Sequence, residues 1–275
     1  MVLILELKTS QTLAIKILTD TLNSLLTDIN FVFTPSIIND NSEVNKVGGV
    51  VIKEINKTGT ILVYTKLDAD KFDYYNYNYH KNKLSLGINL NNLLKCLKCM
   101  SNFDTMVWQL DSEDMNKLVM ILESNERKEK KIFKINLMDL EEEKYDIEPI
   151  EFPFSITLPS QDFHKYCKDM SSATEKIELI CSKNKFIFSG NGEIGNVEFE
   201  IGETNGGLSI DVNSSCNEEI VQGIFELRFL IIFTKCTNLC STVTLYLKND
   251  YPLIVKYGIA TLGEIKLVLS PSKSN

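Results

Sequence analysis

Two cysteine pairs are the first residues whose spacing suggests chemistry. Cys96 and Cys99 form a C-x2-C, and Cys236 and Cys240 fall at a matching place 140 residues on. Structural zinc needs four such ligands converging. Here both pairs lie in apolar helical patterns among leucines and threonines, so the expectation is small buried hydrophobes, no metal and no cofactor. GNGEIG (190–195) has the look of a glycine-rich phosphate loop, but no helix pattern follows it and no G-K-[ST] is present. His80 and His164 are the only histidines, and neither has a Ser/Asp or Cys partner in its local sequence. Glu141 to Glu143 read as a solvated acidic run. No enzyme activity is expected.

The lysines carry more information. Lys95 and Lys98 are spaced i, i+3, on the helix face opposite Leu93, Leu94 and Leu97. Lys165 and Lys168 repeat that spacing, Arg228 and Lys235 are i, i+7, and Lys16 falls inside another helical pattern. Surface helices ordinarily carry solvated lysines, so the pattern reads two ways. Cations gathered on helices while acids gather in strands and turns would also form an electrostatic footprint for phosphate.

The elements that must position these lysines occur twice. After Gly87, INLNNLLKCLKCMSN is followed by DTMVWQL, a polar turn and KLVMILES; after Gly223, IFELRFLIIFTKCTN is followed by STVTLYL, a turn and YPLIVKYG. Each reads as a short helix and then two alternating strands. Upstream, Ser10-Gln11 and Ser160-Gln161 each open a helical pattern, with the serine as expected N-cap. GGVVIKEI, GTILVYTKL, KLSLGINL, KIELICS, KFIFSG, NVEFEIG and GLSIDV are short β-branched runs bounded by turn residues. The fold class is therefore α+β, with antiparallel sheets and a few short helices packed on one side. Residues 135–152 read as a surface connector between a domain at 1–134 and another at 153–275, and 34–47 and RKEKK (127–131) look like insertions. Tyr145 and Ile147 stand on the connector with no evident core to join.

Composition bounds the class. The chain has 275 residues, 44% hydrophobic and 24% charged, with formal charge −8, enough apolar residue for a proper core. Bulk charge gives no reason to expect nucleic-acid binding. Seven cysteines in this length are no disulfide framework. No stretch is long and apolar enough for a membrane helix, and MVLILELKTS lacks a basic segment ahead of its apolar residues. A reduced, intracellular, acidic, soluble protein is expected. Lysine outnumbers arginine 27 to 2, which AT-rich codon usage explains.

The sequence resembles the eukaryotic-type DNA sliding clamps, the proliferating cell nuclear antigen family. The resemblance is carried by GINLNNLLKCLKC (87–99), INLMDLEEE (135–143), FHKYCKDMSS (163–172), FSGNGEIGN (188–196) and the long run LRFLIIFTKCTNLCSTVTLYLKNDYPLIVKYGIATLGEIKLVLSP (227–271). It implies two similar domains and a head-to-tail homotrimeric ring, a polymerase processivity factor with helices lining the hole. In such a ring Lys16, Lys95, Lys98, Lys165, Lys168, Arg228 and Lys235 would face double-stranded DNA without sequence preference. Strands near Lys131–Ile135 and Ile194–Ile201 would join neighbouring subunits, with Phe133, Ile194 and Phe199 as apolar contacts. A peptide pocket for DNA polymerase, clamp loader, ligase and nuclease would be lined by Ile55, Leu62, Tyr145, Ile147, Pro252, Val268 and Pro271. Gly59, Tyr145 and Val268 depart from the family's usual histidine, leucine and aromatic. Lys183 matches the lysine that eukaryotic clamps conjugate to ubiquitin or SUMO. The implied location is the nucleus, or a cytoplasmic replication site for a viral owner. The alternatives are a subunit of a heterotrimeric clamp, or a clamp-like accessory protein that binds polymerase or DNA without closing a ring.

Overall fold

A computed structural model describes residues 2–38, 44–100, 105–124, 126–142 and 150–272. Contacts divide the chain into two units, one of residues 1–54, 64–143 and 259–265, the other of residues 55–63, 144–258 and 266–275. In chain order the strands and helices are β1 Leu3–Thr9, α1 Thr12–Asn23, β2 Asp28–Thr34, β3 Ile37–Ile38, β4 Val44–Lys46, β5 Gly49–Ile55, β6 Ile61–Asp68, β7 Tyr74–Tyr77, β8 Leu84–Asn89, α2 Leu90–Lys98, β9 Thr105–Asp111, β10 Asp114–Ser124 and β11 Glu129–Asn136. They continue with β12 Phe154–Pro159, α3 Ser160–Ser171, β13 Lys176–Ser182, β14 Lys185–Gly192, β15 Gly195–Gly202, β16 Ser209–Val212, β17 Ile220–Glu226, α4 Leu227–Phe233, β18 Thr242–Leu247, β19 Leu253–Ile259 and β20 Gly263–Leu269. The fold is α+β, and each strand run picked out in the sequence forms a strand.

The repeat extends to pairing. In the first unit β1 sits between β7 and β9, β9 pairs with β10, and β10 with β11. In the second, β12 sits between β16 and β18, and β18 pairs with β19. Likewise β2 lies between β5 and β8 as β13 lies between β14 and β17. All these pairs are antiparallel, so strict alternation of apolar and polar residues is what each strand needs to bury one face.

Each unit's helices cover its core. Ile15, Leu18 and Leu22 of α1 line the same small void as Leu7, Phe31, Met106 and Trp108, and Phe31 meets Trp108 edge-on at 5.5 Å. In the second unit Phe163 and Cys167 of α3 are fully buried, and Phe163 stands 6.3 Å from Phe188 on β14.

Several local expectations need correction. Neither serine caps its helix. Ser10 donates to Asp73, while the Gln11 amide donates to Thr9 Oγ1 at 3.0 Å. Ser160 is the first residue of α3, and its buried hydroxyl donates to the Cys240 carbonyl at 2.7 Å. A side-chain cap appears instead at α2, where Asn89 accepts from the Asn92 amide at 3.0 Å. The stretch from 34 to 47 contains the two-stranded ribbon β3–β4. The basic run is the β10–β11 turn, with Lys128 at φ 52°, and the start of β11. The cysteines are less buried than expected: Cys236 is buried, Cys96 and Cys240 are partly exposed, and Cys99 is exposed. Cys99 follows the last residue of α2, and Cys240 lies just past the 3-10 turn Thr234–Asn238.

Glycines 190 and 192 serve packing. A Cβ at Gly190 would stand 2.5 Å from the Thr174 methyl, and one at Gly192 would overlap the Ala173 carbonyl oxygen, so β14 passes hard against the end of α3. Gly195, at φ +105°, makes the turn into β15.

Candidate nucleic-acid interface and docking surfaces

In the first unit α1 and α2 pack side by side. Leu90, Leu93, Leu94 and Leu97 of α2 are buried, which turns Lys95 and Lys98 outward, both exposed. Both lie in the last turn, where a cation meets the negative end of the helix dipole. Lys16 is only half exposed. In the second unit α3 packs against α4 and the 3-10 turn that follows it. The Thr234 hydroxyl donates to the Ile231 carbonyl and stands 2.9 Å from His164 Nδ1. That makes the ring nitrogen the donor and ties α3 to its neighbour. Lys165 and Lys168 are exposed on α3.

Arg228 and Lys235 are exposed, but α4 ends at Phe233 and Lys235 belongs to the 3-10 turn Thr234–Asn238. An i, i+7 relation holds for a continuous α-helix, so these two do not share a helix face. Arg228 lies over the Phe229 ring at 4.7 Å and 3.7 Å from Glu226.

The helix lysines differ from many others in their partners. Lys66, Lys71, Lys83, Lys117, Lys130, Lys131 and Lys185 pair with acids on strands, turns and connecting segments. Among the described residues Lys16, Lys95, Lys98, Lys165 and Lys168 have no ion-pair partner. Unneutralised cations on helix faces are what an anionic polymer would meet.

Two sheet edges carry opposite charge. β11 ends the sheet β11-β10-β9-β1-β7, and β15 ends the sheet β15-β14-β13-β17. Along β11, Lys130, Ile132 and Lys134 are exposed and Phe133 is half-buried. Lys131 reaches back to donate to the Cys99 carbonyl at the end of α2, at 2.9 Å. Along β15, Glu198 and Glu200 are exposed, Phe199 is half-buried near Tyr166, and Ile194 beside the strand is 74% exposed.

Of the residues assigned to a peptide pocket, Ile55, Leu62, Pro252 and Val268 are half-buried and Pro271 is exposed. All five belong to the second unit, and none is core. The Ser270 amide donates to the Thr60 carbonyl at 3.0 Å, joining the Ile55–Leu62 hairpin to the C-terminal segment. Gly59 occupies the tip of that hairpin at φ +69°, a conformation glycine adopts without steric cost. Pro271 also lines a groove of about 740 Å³ with Ile220, Gln222 and Tyr251. Tyr145 and Ile147 lie outside the described residues. Lys183 is exposed at the β13–β14 turn.

Among the described residues no group of three or more His, Cys, Asp or Glu side chains is placed to hold a metal. Burial pushes the Cys181 thiol up to about 12, helped by Glu203. Burial also acts to raise Cys240, but hydrogen bonds from Thr242, Gly258 and Ser241 outweigh it and leave that thiol lowered. No helix among the described residues is long and apolar enough to cross a membrane.

Family models match both halves: proliferating cell nuclear antigen, N-terminal domain, over residues 4–145, and its C-terminal domain over residues 146–272. The chain belongs to the proliferating cell nuclear antigen family. A relative named "Probable DNA polymerase sliding clamp", from Acanthamoeba polyphaga mimivirus, is 28% identical over 294 aligned positions that take in 98% of this chain. The chain spans 62% of that relative's length.

Sequence reasoning missed the Asn89 cap and the opposition of charge between β11 and β15. Asn89, three residues before Asn92 and just ahead of the periodic leucines, carried the usual helix-start signal. The edge charges were visible as KKIFK and VEFEI, but their meaning depends on which strands end a sheet.

Proposed function

We propose that this chain is one subunit of a DNA sliding clamp, a processivity factor for a DNA polymerase. Three copies join head to tail into a ring around duplex DNA. The observation that carries the reading is that Lys16, Lys95, Lys98, Lys165 and Lys168 have no ion-pair partner among the described residues, in a family member whose net charge is −8. Lys16, Lys95, Lys98, Lys165, Lys168, Arg228 and Lys235 are assigned to the DNA-facing wall. Lysine–phosphate contacts are independent of base sequence and screened by salt, so they align a duplex without fixing the ring at one site. Retention then comes from closure.

The β11 and β15 edges support a heterologous contact between copies. A basic edge with Phe133 and an acidic edge with Phe199 and Ile194 are complementary to each other and not to themselves, and pairing them removes two open edges. Ile55, Leu62, Pro252, Val268 and Pro271, with Tyr145 and Ile147 of the connector, are assigned to a docking pocket for short apolar motifs of polymerase, loader, ligase and nuclease. Lys183 is assigned as a conjugation site. The place of action is the replicating genome, in a nucleus or a cytoplasmic replication site.

Light scattering tests the assembly. A ring of three 31.3 kDa chains gives about 94 kDa, and Lys134→Glu lowers it toward the single-chain mass. A single-chain mass for the unaltered protein at micromolar concentration would overturn the ring.

A further inference from the structure

The internal repeat places two strands in the same role, and they differ in how far the outer edge is met from within the unit. β17 ends its sheet. Three of its outward groups, the Ile224 carbonyl, the Gln222 amide and the Ile220 carbonyl, are met from within the unit. The Ser272 amide donates to the Ile224 carbonyl at 2.7 Å. The Asn249 side chain accepts from the Gln222 amide at 2.9 Å and donates to the Ile220 carbonyl at 3.1 Å. One backbone group and one side-chain amide thus stand in for a neighbouring strand.

β8 is the counterpart of β17, since each runs directly into the second helix of its unit, α2 or α4. It too ends its sheet. The Met138 amide donates to the Gly87 carbonyl at 2.8 Å, as Ser272 does at Ile224. Along a strand, backbone groups alternate sides, so Ser85 points the same way as Gly87, as Gln222 follows Ile224. Among the described residues no side chain does at the Ser85 amide what Asn249 does at the Gln222 amide. The open stretch borders a groove of about 660 Å³ lined by Tyr79, Lys81, Met115, Met138 and Asp139. Met115 and Met138 are 40% and 43% exposed, and methionine adapts to varied apolar side chains.

We infer that the outer edge of β8 at Ser85 is a strand-addition site for an extended segment of a partner protein. What fills the same edge of β17 is peptide backbone and a peptide-like amide, which fixes the chemistry of the occupant. Main-chain pairing holds the segment. Alternate apolar side chains meet Met115 and Met138, an acid meets Lys81 and a base meets Asp139. The site lies wholly in the first unit and is separate from the docking pocket assigned above, so it stands or falls independently of the clamp reading.

The test uses the full chain and one probe, the peptide acetyl-Glu-Val-Thr-Leu-Thr-Val-Lys-amide, read by amide hydrogen exchange and NMR. Saturating peptide is expected to slow exchange at the Ser85 amide at least tenfold. N-methylation of one alternating set of peptide nitrogens is expected to abolish this, and methylation of the other set to leave it. Ser85→Pro removes only an outward donor, which an edge strand tolerates, and is expected to abolish binding with an unchanged circular-dichroism spectrum. The methylated peptides keep the test valid if that variant fails to fold. The proposal is overturned by an unchanged Ser85 rate at millimolar peptide or by equal binding of both methylated forms. It is also overturned if Ser85→Pro lowers the chain's own mass without peptide, because a second copy would then occupy the edge.

Discussion

Neutralising Lys95 and Lys98 together gives a prediction whose size follows from their setting. Both are exposed, lie in the last turn of α2 and have no ion-pair partner among the described residues. Glutamine keeps the helix propensity and removes only the charge. The lost dipole interaction costs about 0.3–1 kcal/mol per residue, too little to unfold a unit whose leucines stay buried. If each lysine meets one phosphate, the slope of log affinity against log salt becomes shallower by about 0.9 per lysine, or roughly 1.8 for the pair. Over a fourfold rise in salt the unaltered protein should therefore lose about twelvefold more affinity than the variant. Fluorescence anisotropy with a labelled duplex, from 50 to 200 mM salt, measures this. The control is Lys117→Gln with Lys71→Gln, which removes two cations already paired with Asp114 and Asp70 at 3.4 and 3.2 Å. The control is expected to keep the original slope. Equal slopes for both double variants would refute the assignment of α2 to the DNA-facing wall.

Gly87→Val should loosen the connecting segment, because a Cβ there would overlap the Met138 carbonyl oxygen and stand 2.9 Å from Leu140 Cγ. The expected cost is about 1–3 kcal/mol, read as a lower denaturation midpoint and faster proteolysis after residue 136. Alkylation of the native protein should follow exposure and thiol acidity. Cys99 and Cys240 should react, with the Cys240 rate reaching half its limit at a pH below that of a free cysteine. Cys181, pushed up to about 12 by burial, should stay inert at pH 9 until the chain is unfolded. Peptide mass mapping across pH distinguishes this from uniform labelling.

Much of the fold was legible because it is written twice. The leucine period at 90–97 and the alternation in DTMVWQL and STVTLYL each carry their element alone, since they state which face is buried. Helix starts were less legible. Ser10 and Ser160 satisfy the local cap rule, yet their hydroxyls go to Asp73 and Cys240, partners 63 and 80 residues away. The exposed position of Cys99 was hidden because α2 ends at Lys98, and periodicity does not mark the last turn. Lys235 was misplaced for the same reason, through the change from α to 3-10 winding after Phe233. The lysine spacing survived on α2 and α3, where the winding is unbroken. The charge opposition of β11 and β15 was beyond local reading, because sheet edges are set by long-range pairing.

The central claim is retention by closure, and end-blocked DNA tests it without a loader. The protein is threaded onto a linear duplex at high concentration, the ends are then capped with streptavidin, and the complex is passed through a sizing column in 0.3 M salt. The account predicts that protein stays with capped duplex and is lost from the same duplex left uncapped. Equal retention, or equal loss, on the two substrates would contradict it.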